Sequence, residues 1–492
     1  MGFSFSRPGR RAFFQGALAA GGLAVLGPRK AFAAIDADAA LQGSNDLTDL
    51  VNSLVQAGGG QALVLGPRRY VIRPETEVGS LIIEAPQGRA VIGSAGGPGH
   101  YLLASNGSSR PLPRLAENVC QGSRSLRFVA AHGLRPGDWI RIFDPRPSSY
   151  SAVRSEYRQG FNAVVSETFD NKIVLVEPVP CSLDRRAGRA LHIEPTSPTL
   201  RNLSLQSGSL SAARFTNTKY LGLHDIAVEA SAPHGIYVER SLDFVITGTN
   251  IRNAGSRSGS DYGLAIGNSE KGRVLDCDLW ARRHGISVGG GGASDAIPNR
   301  SVEIKACAIG NERDALVHAA DMHGNCERTS FANCVVTGGV SIAGKDNSIS
   351  GCSISSMRNG VCVVGTEVLG GSLKIVDCIL RSSADASQGY RGIIDFGGNS
   401  IAIGRHTVAP LSILIAGLEV EATGQSTSSR VIELRNRGSA VPVDLTVRGL
   451  HVEMDAVGTL VSLRNHQSNS WNGSIVISGI TGDKPHTRTS GH

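Results

Sequence analysis

From Leu203 to the C-terminus the chain repeats a short unit: a Val/Ile-rich strand of three to five residues, a Gly/Asn/Asp turn, and a second short strand. Landmarks at equivalent places are Asp225, Asn250, Cys277, Cys307, Cys334, Cys352, Cys378, Gly417, Gly449 and Gly479. They are spaced by 25, 27, 30, 27, 18, 26, 39, 32 and 30 residues. One such unit cannot bury its apolar face alone, so self-similarity of this length implies stacked units around a continuous core. No segment here holds a 3.6-residue period for ten residues, which excludes helical solenoids. The pattern predicts an all-β chain folded as a right-handed parallel β-helix, a solenoid. Length alone would suggest about three domains, and an elongated repeat overrides that expectation.

The remainder divides around this solenoid. An amphipathic stretch from Ala39 to Ala57 precedes the first apolar strands, and a capping helix over an open coil is its natural role. Residues 34–110 are expected to form this cap and the first coils. Between 111 and 190 the texture changes to longer alternating strands with Pro136-Gly137 and Asp170-Asn171 at turns, which predicts a small inserted β-subdomain. Trp139 lies within it as a core residue or a sugar platform. Residues 191–492 carry the main β-helix.

The first 33 residues carry Arg10-Arg11-Ala-Phe-Phe14, a Gly/Ala-rich apolar run and Ala31-Phe32-Ala33. That order predicts a twin-arginine signal peptide, hence the export machinery as a partner and a periplasmic or secreted protein. Removing Arg7, Arg10, Arg11, Arg29 and Lys30 with it leaves 44 Lys and Arg against 42 Asp and Glu, so the formal charge falls from +7 to +2. The balance therefore gives no reason to expect nucleic acid as a partner. No stretch is long and apolar enough to predict a membrane span. Five of the nine cysteines share one place in the repeat, as small apolar residues stacked in a ladder would. Cys120 and Cys181 are the pair able to bridge, and spacing leaves that open, as it leaves oligomeric state. No metal or cofactor is expected: acidic pairs lack calcium-loop spacing, and Gly289 to Gly292 lacks the Lys-Ser/Thr of a phosphate loop.

The candidate chemistry gathers between Asp261 and Cys334. With Gly263, Gly285 and Ala315 taken as strand openings, Asp261, Arg283 and Arg313 align, and Tyr262, His284 and Asp314 align beside them, coils about 4.8 Å apart. The parity of His284 is that of Ile286 and Val288, which would turn it inward. Asp321 and His323 follow in the third coil, and His318 ends a strand there.

Asp261-Tyr-Gly-Leu-Ala-Ile, Asp276-Cys and Arg283-His-Gly-Ile-Ser-Val-Gly-Gly resemble the polygalacturonase pattern, with Asp261 matching the first paired aspartate and His284 the histidine. Tyr262 stands where that family has its second aspartate. Arg283-His284, Ala320-Asp321-Met322-His323 and Phe331-Ala-Asn333-Cys334 are similar to pectate-lyase-like β-helices, including tailspike-type polysaccharide depolymerases. These resemblances imply a polysaccharide substrate and catalytic roles for Arg283, His284, Asp261, Asp321 and His323; Tyr262, Arg313, Asp314 and His318 are expected to contact substrate from their places in the columns and at the strand end. Two reactions are compatible with the residue types. Elimination from a uronate uses a cation, a base and an acid, which Arg283, His284 and Tyr262 supply. Inverting hydrolysis uses two carboxylates, for which Asp261 and Asp314 are the candidates. A β-helix that binds carbohydrate or serves as a scaffold without cleaving is the third expectation.

Overall fold

A computed structural model describes residues 34–58, 60–147, 157–255, 261–289, 293–312, 318–356 and 361–382, with shorter stretches at 394–395, 410–423, 430–436, 442–454, 459–465, 473–482 and 490–491. The twin-arginine segment lies outside the described residues. The repeat is built on one backbone device. Asn202, Asp225, Gly248, Asp276, Ala306, Asn333, Gly351, Asp377, Gly417, Gly449 and Gly479 all have φ between 53° and 63°. Each left-handed residue turns the chain sharply between two short strands, and Asn, Asp and Gly tolerate that conformation best. Coil after coil then pairs in parallel: Gly222–His224 lies between Thr199–Arg201 and Val245–Thr247, and Ala227–Ala230 between Leu203–Gly208 and Asn250–Asn253. These pairings give a first and a second sheet. A third stacks Tyr101–Asn106, Ser211–Thr216, His234–Glu239, Tyr262–Gly267, His284–Val288 and Ala320–Met322. The result is the expected right-handed parallel β-helix.

The residue after each corner points into the core. It is Ile226, Thr249, Cys277, Cys307, Cys334, Cys352, Cys378, Leu418 and Leu450 in successive coils, so the true landmarks differ slightly from those read off the sequence. Asp225, Gly417, Gly449 and Gly479 occupy the corner one residue earlier, and Asn250 stands one residue after Thr249. The five cysteines do stack, unbridged. Each thiol donates to the carbonyl two residues back, at 3.2 to 3.4 Å, as the Thr249 hydroxyl does at 3.2 Å. A thiol thus serves as a small apolar residue with one weak donor turned to the corner. The adjoining thiol of the ladder first, and burial with it, pushes Cys307, Cys334 and Cys352 up to about 12.

At the N-terminal end the helix Thr48–Gln56 sets Val51 and Leu54 into the main core, with Leu47 just ahead of it. Asp46 accepts from the Thr48 backbone N–H and hydroxyl, at 2.9 and 2.6 Å, and satisfies donors of the first turn. The amphipathic stretch is split, because Ala37–Leu41 forms a separate short helix that ends at left-handed Gln42.

The inserted subdomain is a six-stranded antiparallel sheet, in the order Ser108–Pro111, Arg189–Glu194, Trp139–Asp144, Gln159–Thr168, Lys172–Leu175, Ser125–Arg127. Alternation along Trp139–Asp144 explains its two faces. Ile140 and Ile142 enter the subdomain's own core with Phe128, Phe161 and Ile173, while Trp139 and Arg141 face the β-helix. Trp139 is 1% exposed, packs on Ile193 and Leu242, and donates to Asn162 at 3.0 Å, so it is a core residue and no sugar platform. Cys120 and Cys181 are not bridged; the Cys181 thiol points to the Gly160 carbonyl and Cys120 is exposed.

Two buried arginines fasten this lobe to the helix. Arg141 donates to Asp295 at 3.0 Å, to Asn217 at 3.3 Å and to the Arg240 carbonyl at 2.9 Å. Arg300 donates to Glu327 at 2.7 Å, to Glu270 at 3.1 Å and across to the Gly160 carbonyl at 2.6 Å. Among the described residues no helix is long and apolar enough to cross a membrane.

Candidate active site

Three successive third-sheet strands open alike: His234-Gly235-Ile236, Tyr262-Gly263-Leu264 and His284-Gly285-Ile286. Their register pairs His234 with Tyr262 and Tyr262 with His284. The glycines decide where the rings go. A Cβ on Gly235 would lie 2.6 Å from Ile251 Cγ2, and one on Gly285 would lie 2.9 Å from Ile309 Cγ2, so this position faces the core with no room for a side chain. The aliphatic residue that follows is also buried. Strict alternation therefore breaks at the glycine, and the ring before it turns outward, contrary to the inward parity expected for His284.

The rings form a row. His234 and Tyr262 have centroids 5.5 Å apart, and Tyr262 and His284 are 5.2 Å apart. The Arg283 guanidinium lies 5.6 Å from the Tyr262 ring centre, within cation–π range. His284 is 4% exposed, and its Nδ1 hydrogen-bonds the His318 carbonyl. Only a protonated Nδ1 can donate to that carbonyl, so the neutral ring presents Nε2 as an acceptor. Burial pushes the imidazole below its ordinary range, while Asp321, 3.8 Å from Nε2, pulls the other way. Asp321 in turn is 8% exposed and bonded to His323 Nε2 at 2.9 Å. Burial pushes its carboxyl up, but the charge and hydrogen bond of His323, with His284 and His318 behind, hold it well below the usual carboxylate range.

The third coil enters in a different register from the one expected. Ile286 pairs with Ala320 and Ser287 with Asp321, so Ala319 and not Ala315 stands beside Gly285. The cause is length: two residues separate Asp278–Ala281 from His284–Val288, and eight separate Ala308–Asn311 from Ala320–Met322. His318, not Asp314, thereby becomes the neighbour of His284. Arg313 and Asp314 themselves lie outside the described residues. Asp261 is 0% exposed, its Oδ2 3.9 Å from Arg282, and its carbonyl accepts from the Arg283 backbone N–H at 3.0 Å. It holds the strand entry in place.

Sequence reasoning missed the other half of the row. His234 stacks on Tyr237 with centroids 5.0 Å apart, and Arg214 bonds Glu239 at 2.8 Å while reaching over Tyr101 and Tyr237. Burial first, then Arg214, pushes His234 down to about 4, and burial raises Tyr237. The ring-glycine-aliphatic triplet, present three times, was the signal that could have found them. Among the described residues no group of three or more His, Cys, Asp or Glu side chains is arranged to hold a metal ion.

Coils of this kind, with a row of rings and charges on the outer face of one parallel sheet, define a right-handed β-helix of the pectin-lyase type. More particularly, the chain belongs to the family described as Gp49, pectin lyase-like, which matches residues 230–482. The tailspike protein gp49 of Pseudomonas phage LKA1 is 28% identical, with a TM-score of 0.81 over 89% of this chain and 73% of that one. The phage phi297 tailspike gp61, at 22% identity and TM-score 0.74, shares the fold over 88% of this chain and 72% of its own. So does the gp54 tailspike of Acinetobacter baumannii bacteriophage AP22, at 19% identity and TM-score 0.75, over 91% and 74%. No curated protein matches the chain.

Proposed function

We propose that this protein is an exported enzyme that cleaves a uronate-containing polysaccharide by β-elimination. The observation that carries this reading is a guanidinium, a neutral imidazole and a phenol, from Arg283, His284 and Tyr262, on adjoining coils within ring contact of one another. Arg283 neutralises the uronate carboxylate, which makes the C5 proton acidic. His284 Nε2 takes that proton, the electron pair becomes the C4–C5 double bond, and the C4–O bond breaks. Tyr262 gives its phenolic proton to the leaving oxygen, and His284 later returns one to Tyr262. Asp321, clamped by His323, stabilises the imidazolium that forms in between. Family membership supports a polysaccharide substrate, as does the AP22 tailspike, which was solved in complex with a capsular saccharide.

Inverting hydrolysis would need two carboxylates about 6.5 to 9.5 Å apart with room for a water between them. Asp261 is buried beneath the strand entry, which speaks for elimination over that pairing. Purified protein screened on acidic and neutral polysaccharides is expected to release ultraviolet-absorbing unsaturated ends from an acidic one. Reducing ends without that absorbance would replace elimination with hydrolysis, and binding without cleavage would leave a carbohydrate-binding scaffold.

Export rests on the Arg10-Arg11 segment. Replacing both with Lys is expected to leave unprocessed protein in the cytoplasm, because the pair is read by a receptor and not as charge. Normal processing of the double variant on immunoblots would point to the general secretion route instead.

A further inference from the structure

The outer face of the second sheet carries a site of different character from the ring row. Gln206, Glu229, Arg252, Trp280 and Gly310 pair in sequence across five coils, and the first four line an open groove of about 750 Å³ with Asn253 and Glu312. Trp280 is only partly buried and reaches over the next coil. A Cβ on Gly310 would lie 2.6 Å from its ring atoms Cη2 and Cζ3 and 2.7 Å from Cε3, so the indole occupies the place of the missing side chain. One face of the indole thereby lies on the backbone of the next coil, and the Arg252 guanidinium of the preceding coil lies 5.6 Å from the ring centre, which leaves the ring partly open to the groove.

The charges select what can rest on it. Arg252 donates to Asp278 by two hydrogen bonds at 3.1 and 2.7 Å, and Arg69, at the far end of the row, donates to Gln206 at 2.8 Å. Glu229 and Glu312 then leave the lining acidic, able to accept from hydroxyl or ammonium groups and repelling carboxylates. The groove also adjoins the ring row. The Asn253 amide, at its edge, donates to the Tyr262 carbonyl at 2.8 Å, and the Asn311 amide donates to the Arg283 carbonyl at 2.7 Å.

We propose that this groove is a second saccharide-binding site, in which Trp280 stacks against neutral or amino-bearing pyranose units and holds a polysaccharide beside the cleavage site. The partner is a glycan because of the reading under Proposed function; the preference for uncharged or cationic sugars comes from the groove alone. Affinity electrophoresis of the full chain, in gels holding dextran, chitosan oligosaccharide or polygalacturonate, tests it. Dextran or chitosan is expected to retard the parent, and Trp280→Ala to weaken that retardation about tenfold or more. Trp280→Phe, which keeps an aromatic face, should restore most of it and shows that the effect is not misfolding. His284→Ala should leave it unchanged. The proposal fails if neither polymer retards the parent, if Trp280→Ala is retarded like the parent, or if Trp280 governs only the polygalacturonate interaction. Trp280-dependent retardation by a protein that cleaves no glycan would sustain the groove and overturn the lyase reading alone.

Discussion

Arg283→Ala and His284→Ala proteins are each expected to lose two to four powers of ten in kcat/KM on a polysaccharide the parent cleaves. Loss of a preorganised charge and loss of an acid-base group are each worth about 10²-fold or more. Arg283→Lys should recover little, because an ammonium cannot present the planar pair of donors that fits a carboxylate. The pH dependence separates a catalytic His284 from a structural one. A base must be neutral, so activity falls as pH drops through its pKa. Burial has lowered that pKa, which puts the acid limb of kcat/KM below the ordinary histidine value of about 6.5. The Asp321 carboxylate partly opposes that lowering, so Asp321→Asn should move the limb to still lower pH. A limb that stays put in Asp321→Asn, or full activity in His284→Ala, would remove His284 from the proton transfer. Unfolding curves of the variants, matched to the parent, complete the test.

The second large effect lies where the lobe meets the helix. Arg300→Met leaves Glu270 and Glu327 buried without the guanidinium that bonds both, and breaking such a buried pair from one side costs about 3–5 kcal/mol. Burial alone pushes Glu270 up, and without the arginine its folded pKa would rise further above the unfolded one. A carboxyl with a raised folded pKa loses stability as pH climbs through the unfolded value, so the deficit should be larger near neutral pH than in mild acid. Denaturant titrations at two pH values measure it. Equal midpoints for variant and parent would mean that the ion cluster does not hold the two parts together.

The solenoid was legible because its signals are local. Short β-branched strands and a Gly, Asn or Asp at every corner named above except Ala306 occur within ten residues of each other. The ladder of cysteines was legible for the same reason. The adjacency of Tyr262 and His284 was legible, because their strands share a register, and the register was lost at Ala315, because loop length and not strand pattern decides which residue comes alongside Gly285. His234 and Tyr237 escaped because the candidate stretch was taken to begin at Asp261, one coil after them. Arg141 and Arg300 carry no local mark at all, since their partners Asp295, Gly160 and Glu270 lie 30 to 154 residues away.

The corner residues also bear on how such a chain can change. Between first-sheet and second-sheet strands the count is two residues in every coil from Gly222–His224 to Ser330–Ala332 and the strands that follow them. Between second-sheet and third-sheet strands it runs three, eight, two and eight over four successive coils starting at Ala227–Ala230. The corner between the first and second sheets is thus a spine of invariant length, and insertions are absorbed at the other junctions of the coil, among them the one beside Tyr262 and His284. Descendants of this sequence can lengthen or exchange those segments without re-threading a single rung of the stack.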